Sequence, residues 1–283
     1  MSLRRRPHLL SLLIVGGLLL TGAAAGAVVL FSGVVTTAAT AQHFRITHRV
    51  LEVGLHSSVF THARHIEAPR LDDPRLIATG LACYREHCAQ CHGAPGVAPG
   101  AAALGMLPVP GSLAQAAQEW PAEWIYYVTS KGVRMTGMPA WEVRLPDQSL
   151  WATVAFVKTL PQLDAQAYAE AVSTSTAECG RRRDLPELRH ASTREMGDLL
   201  LRQYGCHACH LIDGVVGPRT HTGPALRDWS RRGYIAGVLP NTRENLAQWI
   251  IDPRAISPQT LMPDLDVPQA HAEVMAAFLF SQP

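Results

Sequence analysis

Cys88-Ala89-Gln90-Cys91-His92 and Cys206-His207-Ala208-Cys209-His210 decide how this chain is read, because the same C-x-x-C-H pattern occurs twice. It is the attachment pattern for c-type haem. The two thiols add to the porphyrin vinyl groups as thioethers, and the next residue turns its imidazole onto the iron. A lone C-x-x-C also serves zinc sites and thiol oxidoreductases. Zinc would want four nearby ligands, and a thioredoxin-like motif would follow a strand in an alternating β/α pattern. Neither explains two copies that both end in His. Cys88, Cys91, Cys206 and Cys209 are therefore expected to carry two haems c, with His92 and His210 as axial iron ligands.

Each motif is followed downstream by a Met-Pro. The first lies in Val133-Arg134-Met135-Thr136-Gly137-Met138-Pro139-Ala140-Trp141, the second in Thr260-Leu261-Met262-Pro263-Asp264. A thioether opposite His raises the potential and suits electron transfer, and the proline restricts the backbone that presents the sulfur. Met138 and Met262 are the expected sixth ligands, with Met135 the competitor of Met138. Met also fills gaps in many cores.

A repeat supports two equivalent domains. Ala155, Phe156, Val157 and Pro161 match Ala277, Phe278, Leu279 and Pro283 at a constant offset. Both sit in segments that open on Pro and continue with helical periodicity. Helices are also predicted before each motif, over 74–87 and 192–204, the latter with Ser192 and Glu195 as a capping box. Gly80 and Gly197 fall inside them. An interior Gly costs about 1 kcal/mol against Ala, which predicts close crossings there with Phe156 and Phe278.

Helix, C-x-x-C-H, loops, Met-Pro and final helix resemble the class I cytochrome c family, twice over, in residues 71–165 and 191–283. The first unit, with Cys-His-Gly-Ala-Pro-Gly at 91–96 and the 135–141 segment, is similar to small membrane-linked bacterial cytochromes. The second resembles the cytochrome c domain fused to subunit II of some haem-copper oxidases, through Gly223-Pro224-Ala225-Leu226, Asn241, Leu246, Trp249-Ile250, Pro253 and Met262-Pro263. No copper-binding cupredoxin segment precedes it here, so the chain is not expected to be that subunit. The resemblance implies a mainly α fold, thioethers at the four cysteines, His92 and His210 as proximal ligands, and Met138 and Met262 as distal ones. It also implies a backbone carbonyl orienting each proximal imidazole. Pro224 matches that position in the second unit, while Pro108 and Pro110 compete for it in the first. Trp141, Trp229, Tyr234, Arg227, Arg231 and Arg232 are candidate haem neighbours or ordinary packing.

Ahead of these units, Leu9 to Val35 is uncharged and almost wholly apolar, longer than the roughly 20 residues a spanning helix needs. Arg4, Arg5 and Arg6 would stay cytoplasmic, placing the rest outside. A cleaved signal peptide competes, with sites at Ala23-Ala24-Ala25 or Ala39-Thr40-Ala41. The expected plan is an anchor over 1–40, a stalk over 41–70, haem domains over 71–165 and 191–283, and a linker over 166–190. The stalk histidines His43, His48, His56, His62 and His65 keep no common face, so a solvated or headgroup-facing surface is expected. Cys83 and Cys179 are either two separate thiols or a disulfide pinning the linker, and the linker's Arg181-Arg182-Arg183 reads as a solvated loop in preference to a docking site for an acidic partner.

The composition fits this plan. Charged residues are 17% and the formal net charge is +2, which favours neither a disordered chain nor a nucleic-acid binder. Domains of about 90 residues are marginal on burial alone. Two haems would complete their cores, and without them the chain is expected to be at best partly folded.

The function expected is single-electron transfer. Donors would be a dehydrogenase or quinol-oxidising complex, and acceptors a terminal oxidase or soluble cytochrome. The rivals are a dihaem enzyme, such as a peroxidase or sulfur-compound dehydrogenase, and an obligate electron-transfer subunit of a larger complex.

Overall fold

The computed structural model describes residues 7–42, 44–182, 184–185 and 192–282. Arg4, Arg5, Arg6, His43, Arg183 and Pro283 lie outside the described residues. The chain divides into two units, Met1–Val53 and Gly54–Pro283.

The first unit is dominated by helix α1, Pro7–Phe31. Its Leu10–Phe31 portion is long and apolar enough to cross a membrane. Helix α2, Arg45–Ala63, begins in this unit and ends in the second.

The second unit holds two helical lobes. In the first lobe, α3 (Pro74–Cys83) starts on Asp73, whose carboxylate accepts from the Arg75 amide at 2.9 Å, a strong N-cap followed by Pro at the first helical position. A π-type turn over Tyr84–Cys88 leads into α4, Ala89–His92. There follow α5 (Ala101–Leu104), α6 (Leu113–Glu119), α7 (Ala122–Lys131), α8 (Asp147–Thr159) and α9 (Ala165–Thr174). Nine consecutive residues of α8, Ser149 to Val157, are buried, because α3, α6 and α7 all pack against it.

The second lobe opens with α10, Thr193–Gln203, which carries the expected capping box between Ser192 and Glu195. A short hairpin pairs β1 (Tyr234–Ile235) with β2 (Leu239–Pro240). Helices α11 (Arg243–Ile251), α12 (Pro253–Ile256) and α13 (Gln269–Phe280) complete it, with α10 and α11 both packed on α13.

The repeat is visible in the packing. A Cβ on Gly80 would run into the Ala152 carbonyl and lie 2.8 Å from Phe156 Cβ; a Cβ on Gly197 would run into Phe278. The α3 backbone therefore approaches the α8 backbone, and the α10 backbone approaches the Phe278 side chain of α13, at the interior glycines.

Three expectations are corrected. His56 packs edge-on against Trp120 at 5.3 Å and Trp124 at 6.1 Å, and His62 stacks on Tyr127 at 5.6 Å. His56 is thus partly buried against aromatic rings of α7 and the turn before it, whereas His48, His62 and His65 are exposed. The 166–190 segment begins as a helix, and Tyr168 of α9 sits in the first lobe's core. Finally, Arg182 of the arginine run is not solvated, whereas Arg181 is largely exposed. The Arg182 side chain is 8% exposed, its Nε donating to the Leu145 carbonyl at 3.1 Å and its Nη1 to the Leu185 carbonyl at 3.3 Å. Arg181 pairs with Glu86 at 3.5 Å and Asp266 at 3.0 Å. Carbonyls that secondary structure leaves free draw the guanidinium inward, since buried acceptors need donors. Of the two alternatives for the remaining cysteines, the structure has the disulfide: Cys83 is bonded to Cys179, with Cα atoms 4.7 Å apart.

Candidate functional site

The two C-x-x-C-H motifs sit on different local scaffolds. Cys88 ends the π-type turn and Cys91-His92 close α4, so the first motif continues the pre-motif helix. The second follows Gly205 in a left-handed conformation, with Cys206–Ala208 forming a 3-10 turn. In the second motif Cys209 and His210 lie just past this turn. Among the described residues the cysteines that are free of disulfides are these four. Burial pushes the Cys88 thiol up to about 12 and the Cys206 thiol up to about 11. That is opposite to the lowered thiol of a dithiol oxidoreductase.

Both histidines are oriented by a backbone carbonyl. His210 Nδ1 donates to the Pro224 carbonyl at 2.7 Å, as the family pattern implies. His92 Nδ1 donates to the Gly111 carbonyl at 2.8 Å, so neither Pro108 nor Pro110 has the role. Each bond fixes the tautomer in which Nε2 keeps its lone pair, the form that ligates a metal. Gly223 gives the His210 ring its room, because a Cβ there would lie 2.7 Å from Nδ1.

In the second lobe Cys206, Cys209, His210, Pro224 and Met262 line one cavity of about 400 Å³, closed by apolar side chains of α10, α11 and α13. That volume is typical of a cofactor site. Trp229, 5% exposed, also lines it, and its indole N–H is buried without a protein partner. Two thiols, an imidazole and a thioether around one apolar cavity fit a covalently held haem. Arg232 stacks over Trp229 at 4.7 Å and donates to the Arg227 carbonyl at 3.1 Å, as well as to that of Ala225. Tyr234 lines the same cavity. Arg227 and Arg231 pair instead with Asp213 and Asp228.

In the first lobe Cys88 and Tyr84 are buried, and the Tyr84 hydroxyl donates to the Gly93 carbonyl at 2.6 Å. The two candidate methionines separate clearly. Met138 is partly buried and packs with Trp141, Leu145 and Leu150, whereas Met135 is 92% exposed with φ 63°. Met106, which the sequence reading passed over, lies against the same loop, its Sδ 3.2 Å from where a Cβ on Gly137 would be. No spacing rule points to it. Glu86, His87 and Cys179 also converge, but the Cys179 sulfur is bonded to Cys83 and is no ligand.

Comparison with known proteins gives a partial match. Residues 75–157 match the family described as "Cytochrome C oxidase, cbb3-type, subunit III", so this segment carries a cytochrome c domain. "Cytochrome c oxidase subunit 2" of Alkalihalophilus pseudofirmus is 34% identical over 86 residues, which is 30% of this chain and 24% of that protein. "Cytochrome c oxidase subunit 2" of Bacillus sp. strain PS3 is 40% identical over 58 residues, 20% of this chain and 16% of that protein. The chain thus spans about a quarter or less of these relatives. No solved structure matches.

Proposed function

We propose that the chain is a membrane-anchored dihaem cytochrome c that passes single electrons between redox proteins. The observation that carries this reading is the cavity at which Cys206, Cys209, His210 and Met262 meet, together with a second C-x-x-C-H inside the matched 75–157 segment. Haem c held at each motif supplies a one-electron iron couple.

The residues divide the work as follows. Cys88, Cys91, Cys206 and Cys209 anchor the two groups covalently, so neither is lost during turnover. His92 and His210 present Nε2, held by the Gly111 and Pro224 carbonyls. Met138 and Met262 would supply thioether ligands to the iron, which would raise its potential and leave no open position of the kind a peroxidase needs. The apolar walls of the second cavity exclude water and favour the less charged, reduced state.

Helix α1 anchors the chain in the cytoplasmic membrane, and the haem domains over 71–165 and 191–283 lie on its outer face. Anchoring raises the effective concentration near partners in the same membrane. A dehydrogenase or quinol-oxidising complex would give electrons, and a terminal oxidase or soluble cytochrome would take them. The names of the relatives favour a second reading, that of an electron-transfer subunit held within an oxidase complex.

Purification from membranes in mild detergent tests both. A pyridine haemochrome assay is expected to give two covalent haems per chain, and fewer than two overturns the reading. Stoichiometric co-purification with an oxidase selects the subunit reading over the free carrier. High-spin resting haem with peroxide turnover overturns both.

A further inference from the structure

The 3-10 turn Trp141–Val143 and the Arg144 that follows it touch the segments leading into both C-x-x-C-H motifs. On one side the Trp141 ring lies 4.8 Å from that of His87, the residue before Cys88. On the other, the Arg144 guanidinium sits over the Tyr204 ring, 5.1 Å from its centroid, and Nη2 donates to the Gln203 carbonyl at 2.8 Å. Tyr204 lines the cavity of the second site. Between these two contacts Val143, a first-lobe residue, is buried in the core of the second lobe.

The turn is also held from behind. The Arg182 amide donates to the Arg144 carbonyl at 2.7 Å, and the Arg182 side chain is buried against neighbouring carbonyls. The Tyr204 hydroxyl donates to His271 Nδ1 at 3.0 Å, and His271 Nε2 donates to the Asp184 carbonyl at 2.8 Å. The Cys83–Cys179 bond ties the same linker to the helix that leads into the first motif.

We propose that Arg144 is a positioning residue that holds the two attachment segments at one separation and orientation, and so sets the rate of electron exchange between the sites. This rests on the two-haem reading above. The electron lost at one site is the one gained at the other, with no bond made or broken and no proton moved. Arg suits the role because its planar guanidinium stacks on a ring and donates in its own plane at the same time, which a Lys ammonium does not do.

The test uses the full chain with both haems in detergent. Arg144→Ala is expected to slow internal electron equilibration after flash reduction several-fold, because electron transfer between sites falls steeply as their separation grows. It should leave both haem spectra and midpoint potentials unchanged and speed amide hydrogen exchange over 141–144 and 203–206. Arg144→Lys should fall between, and it decides the matter if the Ala variant does not accumulate. Unchanged equilibration, or unchanged hydrogen exchange, overturns the proposal. The haem count of the wild-type chain is taken first: a single haem overturns the two-site reading itself, whereas two haems with unchanged kinetics overturn only the role of Arg144.

Discussion

His210 Nδ1 donates to the Pro224 carbonyl across 2.7 Å, and the residue before that proline, Gly223, has no side chain to push the ring away. Gly223→Ala would place a methyl against the imidazole. Haem occupancy at the second motif is expected to drop, with the haemochrome count falling from two toward one per chain. An unchanged count would show that the ring's position is set elsewhere.

Replacing the proposed distal ligands separates them from their neighbours. Met138→Ala and Met262→Ala should each turn one haem high-spin and lower its potential, because the thioether favours the ferrous state. Met135→Ala should change neither, since that side chain is 92% exposed. A normal spectrum for Met138→Ala with a high-spin one for Met106→Ala would transfer the role to Met106.

The Cys83–Cys179 bond closes a long loop, with 96 residues of sequence separation. Cys83→Ser with Cys179→Ser should cost about 2–5 kcal/mol of stability. Thermal unfolding with and without reductant measures this, and equal midpoints would count against the bond.

Gly80→Ala and Gly197→Ala each force two packed helices apart. Overpacking of this kind costs about 1–3 kcal/mol, so both variants should melt lower than Gly54→Ala, where a Cβ meets nothing within 4 Å. Denaturant titration checks the ranking.

Stability should depend on pH through two histidines. Burial holds His271 below its ordinary value of 6.5, the Asp184 carbonyl opposing this and the Arg182 cation adding to it. Burial also holds His87 low. In each the folded state resists the proton that the unfolded chain accepts. Their contribution is therefore full above pH 6.5 and is lost as pH falls toward the lowered folded value. Urea midpoints should decline from about pH 7 to pH 5, and His271→Gln should flatten the decline. A wild-type midpoint independent of pH would refute this.

Much of the chain is legible in its sequence where residue type alone carries the chemistry. A thiol pair followed by an imidazole, a Met-Pro and a Ser-x-x-Glu cap each name their own use within a few residues. Gly80 and Gly197 named their crossings because only a missing side chain admits such an approach. The carbonyl that orients His92 was not legible, because every residue offers a carbonyl and only the path of the 104–111 loop brings that of Gly111 within 2.8 Å. Arg182 misled for a related reason, since charge predicts solvent until a set of free carbonyls is folded around it.

By itself, then, the sequence determined the two C-x-x-C-H motifs, the helices that frame them and the apolar N-terminal span, all properties of contiguous segments. The tertiary structure decided which cysteines pair, which methionine turns inward, and that the turn at Trp141–Arg144 joins the two lobes. These depend on residues far apart in the chain, and proximity between such residues is fixed only when the cores close.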